Sequence, residues 1–244
     1  MPVAARRIRG ALRRRRPIRF GSFRRLSPIS RNFGFDRGTP VDRYYVHEFL
    51  RRYAGHPGYV MGDIRGRVLE IGEDLYTREF GRWGEPDSYV EKADILHVDE
   101  ANPDATFVGD LTDVGTVPAD TFDCLICTQT LHLIYDVKTA VANAHRLLNP
   151  GGVLLATVPG ISQVCRPDID LWGDYWRFTT HSARRLMEEV FPPENVRVEA
   201  YGNVLSSMSF LQGLAAEDLR PDELDARDPD YELLITVRAI KQSA

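Results

Sequence analysis

Apolar residues along the chain fall into two rhythms. Val68–Ile71, Ala93–Asp99, Phe122–Thr128 and Val153–Val158 are short, nearly continuous apolar runs. That pattern marks strands buried on both faces of a sheet. Ala105–Leu111, Val196–Tyr201 and Tyr231–Ile240 read as three further strands. Other stretches follow helical spacing: Pro40 to Tyr53, with Val41, Tyr44, Tyr45, Phe49 and Leu50 on one side; Val137–Leu148, with Val141, Ala144, Leu147 and Leu148 inward; and Ser182–Phe191. Gly55-His56-Pro57-Gly58 stops the first helix and Asn149-Pro150-Gly151-Gly152 the second. Residues 73–92 are polar and aromatic, with Gly81, Gly84 and Pro86 placed to break any long helix. Strands alternating with helices predict an α/β fold, a Rossmann-like doubly wound, seven-stranded, mostly parallel sheet with helices on both faces. A long insertion, 202–229, separates the last two strands.

Composition refines this picture. The 244 residues, 43% of them hydrophobic, suit one domain over residues 36–244 behind a basic, disordered extension of residues 1–35. Residues 1–31 hold eleven arginines and no acid, which leaves the rest of the chain at −15 against a net −4 for the whole. Such a run repels itself and stays solvated, and it can make weak contact with nucleic acid or an anionic membrane surface. Only three of the 31 basic residues are lysine, a bias typical of a GC-rich, bacterial coding sequence. No apolar run approaches the ~18–20 residues that cross a bilayer. The N-terminus lacks the apolar stretch of a secretory signal. Three cysteines without framework spacing favour a reducing, cytoplasmic setting. Cys124 and Cys127 lie three apart on a strand and so point to opposite faces, as buried thiols rather than a redox or metal pair. No structural metal is expected.

Chemistry concentrates at strand ends. Val68-Leu69-Glu70-Ile71-Gly72 ends in an acid and a turn glycine, and Ile95-Leu96-His97-Val98-Asp99 ends in an acid. In an open parallel sheet those ends line the ligand crevice, and an acid after the second strand can hold both hydroxyls of a ribose. These segments resemble the first two motifs of the class I S-adenosylmethionine-dependent methyltransferases, of the type 11-like group. Gly109-Asp110-Leu111 is similar to the family segment that meets the adenine. Phe122–Thr128 resembles its fourth strand, and Leu147–Leu155 the stretch leading into its fifth. The resemblance covers about residues 60–160 well and the C-terminal third more loosely. It implies S-adenosyl-L-methionine as cofactor. It also implies cofactor contacts at Glu70, Gly72, Glu73, Asp99, Asp110, Leu111, Thr128 and Gln129.

One departure stands out. Where the family carries two more glycines after Gly72, this chain has Glu73-Asp74-Leu75. Either the loop is reshaped and its acids face the cofactor's cationic amino group, or cofactor binding is weakened. The missing glycines also argue against a nicotinamide dehydrogenase, which needs them to bring a helix onto a pyrophosphate.

His132, just after the fourth strand, is a candidate base for taking a proton from an attacking hydroxyl, with a packing role as the alternative. His181 reads as part of a helix N-cap region and His145 as a solvated helix residue. The run Trp172-Gly173-Asp174-Tyr175-Trp176-Arg177-Phe178 follows the fifth strand, where the family builds acceptor pockets. Trp172, Tyr175, Trp176 and Arg177 are candidate acceptor contacts, or else a hydrophobic lid, and Asp174 is a second catalytic candidate. The expected activity is methyl transfer to a small-molecule acceptor, on an oxygen of a sugar, glycan precursor or secondary metabolite. The alternatives are a catalytically impaired binding protein of the same fold, or a nucleic-acid methyltransferase. Against the last, no Asn/Asp-Pro-Pro-Tyr-type motif ends the fourth strand and the body is acidic.

Overall fold

A computed structural model describes residues 21–54, 62–115 and 117–243. The glycine-rich stop at 55–58, and the arginines before Gly21, lie outside the described residues. Seven strands form one sheet: β1 Gly66–Ile71, β2 Val90–His97, β3 Phe107–Val108, β4 Phe122–Thr128, β5 Leu148–Pro159, β6 Val196–Tyr201 and β7 Leu234–Ile240. Their order is β3-β2-β1-β4-β5-β7-β6, with only β7 antiparallel to its neighbours. The direction of winding reverses between β1 and β4, where Val68 pairs with Cys124 and Glu70 with Ile126. That reversal opens the crevice in a doubly wound sheet.

The central strands are apolar on both sides because both sides are covered. Leu125 and Cys127 of β4 join Leu69, Leu154 and Ala156 in one core layer; Cys124 and Ile126 join Val68, Val153 and Leu155 in the other. The two thiols thus lie on opposite faces, both fully buried, as their spacing predicts. Helices α1 (Val41–Tyr53), α2 (Leu75–Gly81), α3 (Val137–Leu147), α4 (Arg166–Leu171), α5 (Thr180–Met187), α6 (Val204–Leu211) and α7 (Pro221–Asp225) surround the sheet or its rim. α3 is capped by Asp136, whose side chain accepts from Thr139 N at 3.2 Å. α5 begins with a reciprocal Thr179/Ser182 cap, with His181 inside its first turn.

Several elements differ from the sequence reading. β3 shrinks from Ala105–Leu111 to two residues, because the flanking segments turn through the side chains of Asn102 and Asp110. Residues 75–81 form a short helix that periodicity misses, since seven residues barely complete two turns. His145 is half-buried rather than fully solvated: its ring packs edge-on against Phe191 at 4.9 Å. Residues 29–35, expected within the disordered extension, are docked on the body. The amides of Ile29 and Ser30 donate to the Gln212 carbonyl at 2.8 and 3.1 Å, and Phe33 packs on Phe210.

Candidate active site

The crevice lies at the carboxyl ends of β1, β2 and β4. Gly72 turns out of β1 at φ +92, a left-handed conformation that favours glycine, with open space where a Cβ would stand. Its amide donates to the Leu96 carbonyl at 2.9 Å, and its own carbonyl accepts from Asn102 Nδ2 at 2.8 Å. Beside it is a cleft of about 560 Å³ lined by Gly72, Glu73, Asp74, His97, Asn102 and Trp172, among others. Glu73 is exposed, and Asp74 begins α2 and pairs with Arg78 at 2.6 Å. Only two residues therefore separate Gly72 from a helix, and the place of the missing glycines is taken by a tight strand-to-helix turn.

Glu70 is what fixes that turn. It is 3% exposed and accepts from Tyr76 N at 3.0 Å, Thr77 N at 2.7 Å and Thr77 Oγ1 at 2.7 Å. Its carboxylate thus holds the first amides of α2, and burial pushes its pKa up to about 7 against those three donors. Both oxygens are engaged within the protein, so Glu70 shapes the loop after β1 and does not face into the cleft.

Asp99 stands at the rim, with its side chain 56% exposed. Its Oδ1 accepts from Ala101 N at 2.8 Å and lies 3.1 Å from His97 Nδ1. Asp110 is exposed and closes a turn onto Thr112 N at 2.7 Å. Leu111 is buried in the core, which leaves its backbone, not its side chain, for the crevice. Glu73, Asp99, Asp104 and Asp110 add carboxylates near this end of the sheet, while Asp74 is paired with Arg78, and the excess of acid favours a cationic ligand.

At the end of β4, Thr128 is half-buried and Gln129 takes the left-handed conformation at φ +49. The Gln129 amide donates to Thr157 O at 2.9 Å, while its Nε2 is buried without a partner. A buried amide donor left unpaired carries a desolvation cost that a bound acceptor group relieves. His132 follows in a single 3₁₀ turn, 8% exposed, with Nδ1 buried and unpartnered. Burial lowers its pKa to about 4, with nearby Asp174 opposing that shift and Arg177 and Arg43 adding to it. The ring is therefore neutral at physiological pH. The neutral-range ionisation of an exposed imidazole does not apply here.

The acceptor loop hangs from the same turn: Tyr175 N and Trp176 N donate to the His132 carbonyl at 2.9 and 3.2 Å. Asp174 is not a free acid. Its covered carboxylate receives Arg177 Nη1 at 2.5 Å, Arg177 Nη2 at 3.0 Å and Cys165 N at 3.1 Å, and the guanidinium beside it holds its pKa down. Arg177 also donates to the carbonyls of Gln163 and Trp176, so it organises the loop from within rather than reaching for an acceptor. Gly173 sits at φ +97, and a Cβ there would meet the Tyr175 ring at 2.2 Å. Tyr175 and Trp176 remain exposed and flank Tyr135, with centroids 5.3 and 5.9 Å from its ring. Trp172 separates from this trio and lines the cleft beside Gly72. Asn102, His97 and Tyr135 are site residues the sequence reading passes over. Of these only Tyr135, an aromatic three residues after His132, carries a recognisable signal.

Residues 87–156, spanning β2 to β5, match a family described as Methyltransferase domain. The match covers less than half of the chain, and that segment is similar to a methyltransferase domain. Among solved structures, a chain of the complex between the Haloferax volcanii Trm112 methyltransferase activator and a methyltransferase aligns with a TM-score of 0.53 at 14% identity, covering 82% of this chain and 91% of the other. The [4+2]-cyclase SpnF aligns at 0.52 and 14% identity, covering 85% of each chain. Both establish the fold, and a shared fold leaves the chemistry to the site. No curated protein matches the sequence significantly. Among the described residues no cluster of His, Cys, Asp or Glu is arranged to hold a metal ion.

Proposed function

We propose that this chain is an S-adenosylmethionine-dependent methyltransferase acting on an oxygen of a small acceptor: a sugar, a glycan precursor or a secondary metabolite. The observation that carries the reading is the neutral, buried His132, with Nδ1 unpartnered, on the turn that suspends an exposed aromatic loop. Aromatic faces such as Tyr135, Tyr175 and Trp176 suit the flat apolar side of a sugar or ring.

S-adenosyl-L-methionine supplies an electrophilic methyl group on a sulfonium. The residues present suit that cofactor. Gly72 leaves open space beside the first strand, and the unpaired Gln129 Nε2 offers a donor. Glu73 lines the cleft, and Asp99, two residues before the lining Ala101, is the proposed ribose contact. Asp110, Leu111 and Thr128 complete the proposed cofactor side. Positioning supplies most of the acceleration in such a displacement, and His132 accepts the proton of an unactivated hydroxyl. Asp174 positions the acceptor loop rather than taking the proton. Three unpaired thiols, two of them fully buried, agree with a reducing, cytoplasmic setting.

Incubating the protein with methyl-labelled cofactor and a panel of alcohols, sugars and matched amines tests the reading. Label on oxygen is the expected result. Label found only on nitrogen or carbon would replace the acceptor class. Failure to bind S-adenosylhomocysteine would leave a binding protein of methyltransferase fold.

A further inference from the structure

α6 turns an apolar face outward. Ser206, Ser207, Ser209 and Phe210 are buried, while Val204, Leu205, Met208 and Leu211 are exposed along one helical face. A second exposed apolar group lies on the acceptor loop: Val164, Leu171, Tyr175 and Trp176, with Tyr135 beside them. Residues 29–31 join the two. The amides of Ile29 and Ser30 bind the Gln212 carbonyl just past Leu211, and the Arg31 carbonyl accepts from Gln163 Nε2, next to Val164, at 3.0 Å. Arg24, Arg25, Leu26 and Arg31 are all exposed on the same segment. The chain preceding it adds eight arginines and no acid.

Exposed apolar groups this extensive mark an interaction surface. Aliphatic, tyrosine and tryptophan side chains edged by arginine match the water–hydrocarbon boundary of a bilayer, where amphipathic rings settle and anionic headgroups attract basic chains. We propose that this rim docks the protein on an anionic lipid membrane, with the acceptor mouth at the membrane surface. Among the described residues no helix is long and apolar enough to cross a membrane, so the contact is interfacial. The proposal does not depend on the acceptor's identity.

Co-sedimentation of the full chain with phosphatidylglycerol/phosphatidylcholine vesicles, and with phosphatidylcholine alone, tests it without cofactor or acceptor. Binding is expected only to the anionic vesicles and should fall as salt rises, since exposed charges are screened. Each arginine near an anionic surface strengthens binding by about fivefold. Arg24→Glu combined with Arg25→Glu should therefore weaken binding by about 25-fold or more. Leu205→Ser combined with Met208→Ser should weaken it at low salt as well, with thermal melts confirming that both variants fold. Equal binding to both vesicle types, or binding indifferent to both variants, would overturn the proposal. So would a dimer dispersed by the α6 variant without any vesicle binding, or salt-sensitive capture by RNA in place of vesicles.

Discussion

Two buried titratable residues respond to their surroundings in opposite senses. His132 has its pKa lowered from 6.5 to about 4, so the unfolded chain binds more protons than the folded one between those values and stability falls as pH drops through that window. Glu70 has its pKa raised from 4.5 to about 7, so the folded chain binds more protons there and stability falls as pH rises through its window. The two trends oppose each other between about pH 4.5 and 6.5. Glu70→Gln should unmask the His132 trend, and its melting temperature should climb with pH over that interval more steeply than the wild type's. The same depressed pKa moves any kinetic role of His132 away from neutrality. The rate limb assigned to it should lie near pH 4, with none near pH 7, and His132→Ala should reduce the maximal rate by about 10²–10⁴-fold while sparing S-adenosylhomocysteine affinity. A variant with normal turnover would reduce His132 to packing and leave catalysis to positioning. Asp99→Ala should cost about 1–3 kcal/mol of S-adenosylhomocysteine binding, the range for bonds to a charged group, read by calorimetry.

At the level of elements, two side chains hold the loops that frame the site. Removing the Glu70 carboxylate leaves two buried amides and the Thr77 hydroxyl unpaired at the start of α2. Glu70→Ala should therefore lower stability by about 1–3 kcal/mol and the melting temperature by several degrees. Asp174 does the same for the acceptor loop. Asp174→Asn breaks the pairing with Arg177, whose guanidinium side is 26% exposed, so the cost should stay at about 1–3 kcal/mol, below that of a fully buried pair. Its clearer signature should be kinetic: a raised KM for the acceptor with S-adenosylhomocysteine affinity unchanged. Loss of cofactor binding instead would mean the loop also supports the cleft through Trp172. Neither role is visible in the chain alone. Glu70 meets its partners six and seven residues on only because the turn at Gly72 folds α2 back, and Asp174 is covered only once residues 162–165 close over it.

The whole molecule divides sequence from tertiary structure in the same way. Deleting residues 1–20 should leave the melting temperature within about 2 °C, since so polar a segment has little apolar surface to bury. Deleting residues 1–35 should lower it further, because Ile29, Ser30 and Phe33 dock on α6 and its exit. Equal melting temperatures for the two truncations would contradict that docking. The doubly wound sheet was legible because β1, β4 and β5 are buried on both faces, and burial on both faces writes itself as an uninterrupted apolar run. The opposed burial of Cys124 and Cys127 followed from strand geometry alone. The short helices α2, α4, α6 and α7, the docking of residues 29–35 and the outward face of α6 were not legible. Short helices span too few turns for a period to emerge, and which face of an element meets solvent is decided by what packs against it. Sequence also placed acids and a histidine at the strand ends but not their states. Burial and neighbours, Thr77 beside Glu70 and Asp174 with Arg177 around His132, set the charge each one carries, and those neighbours meet only in the folded chain.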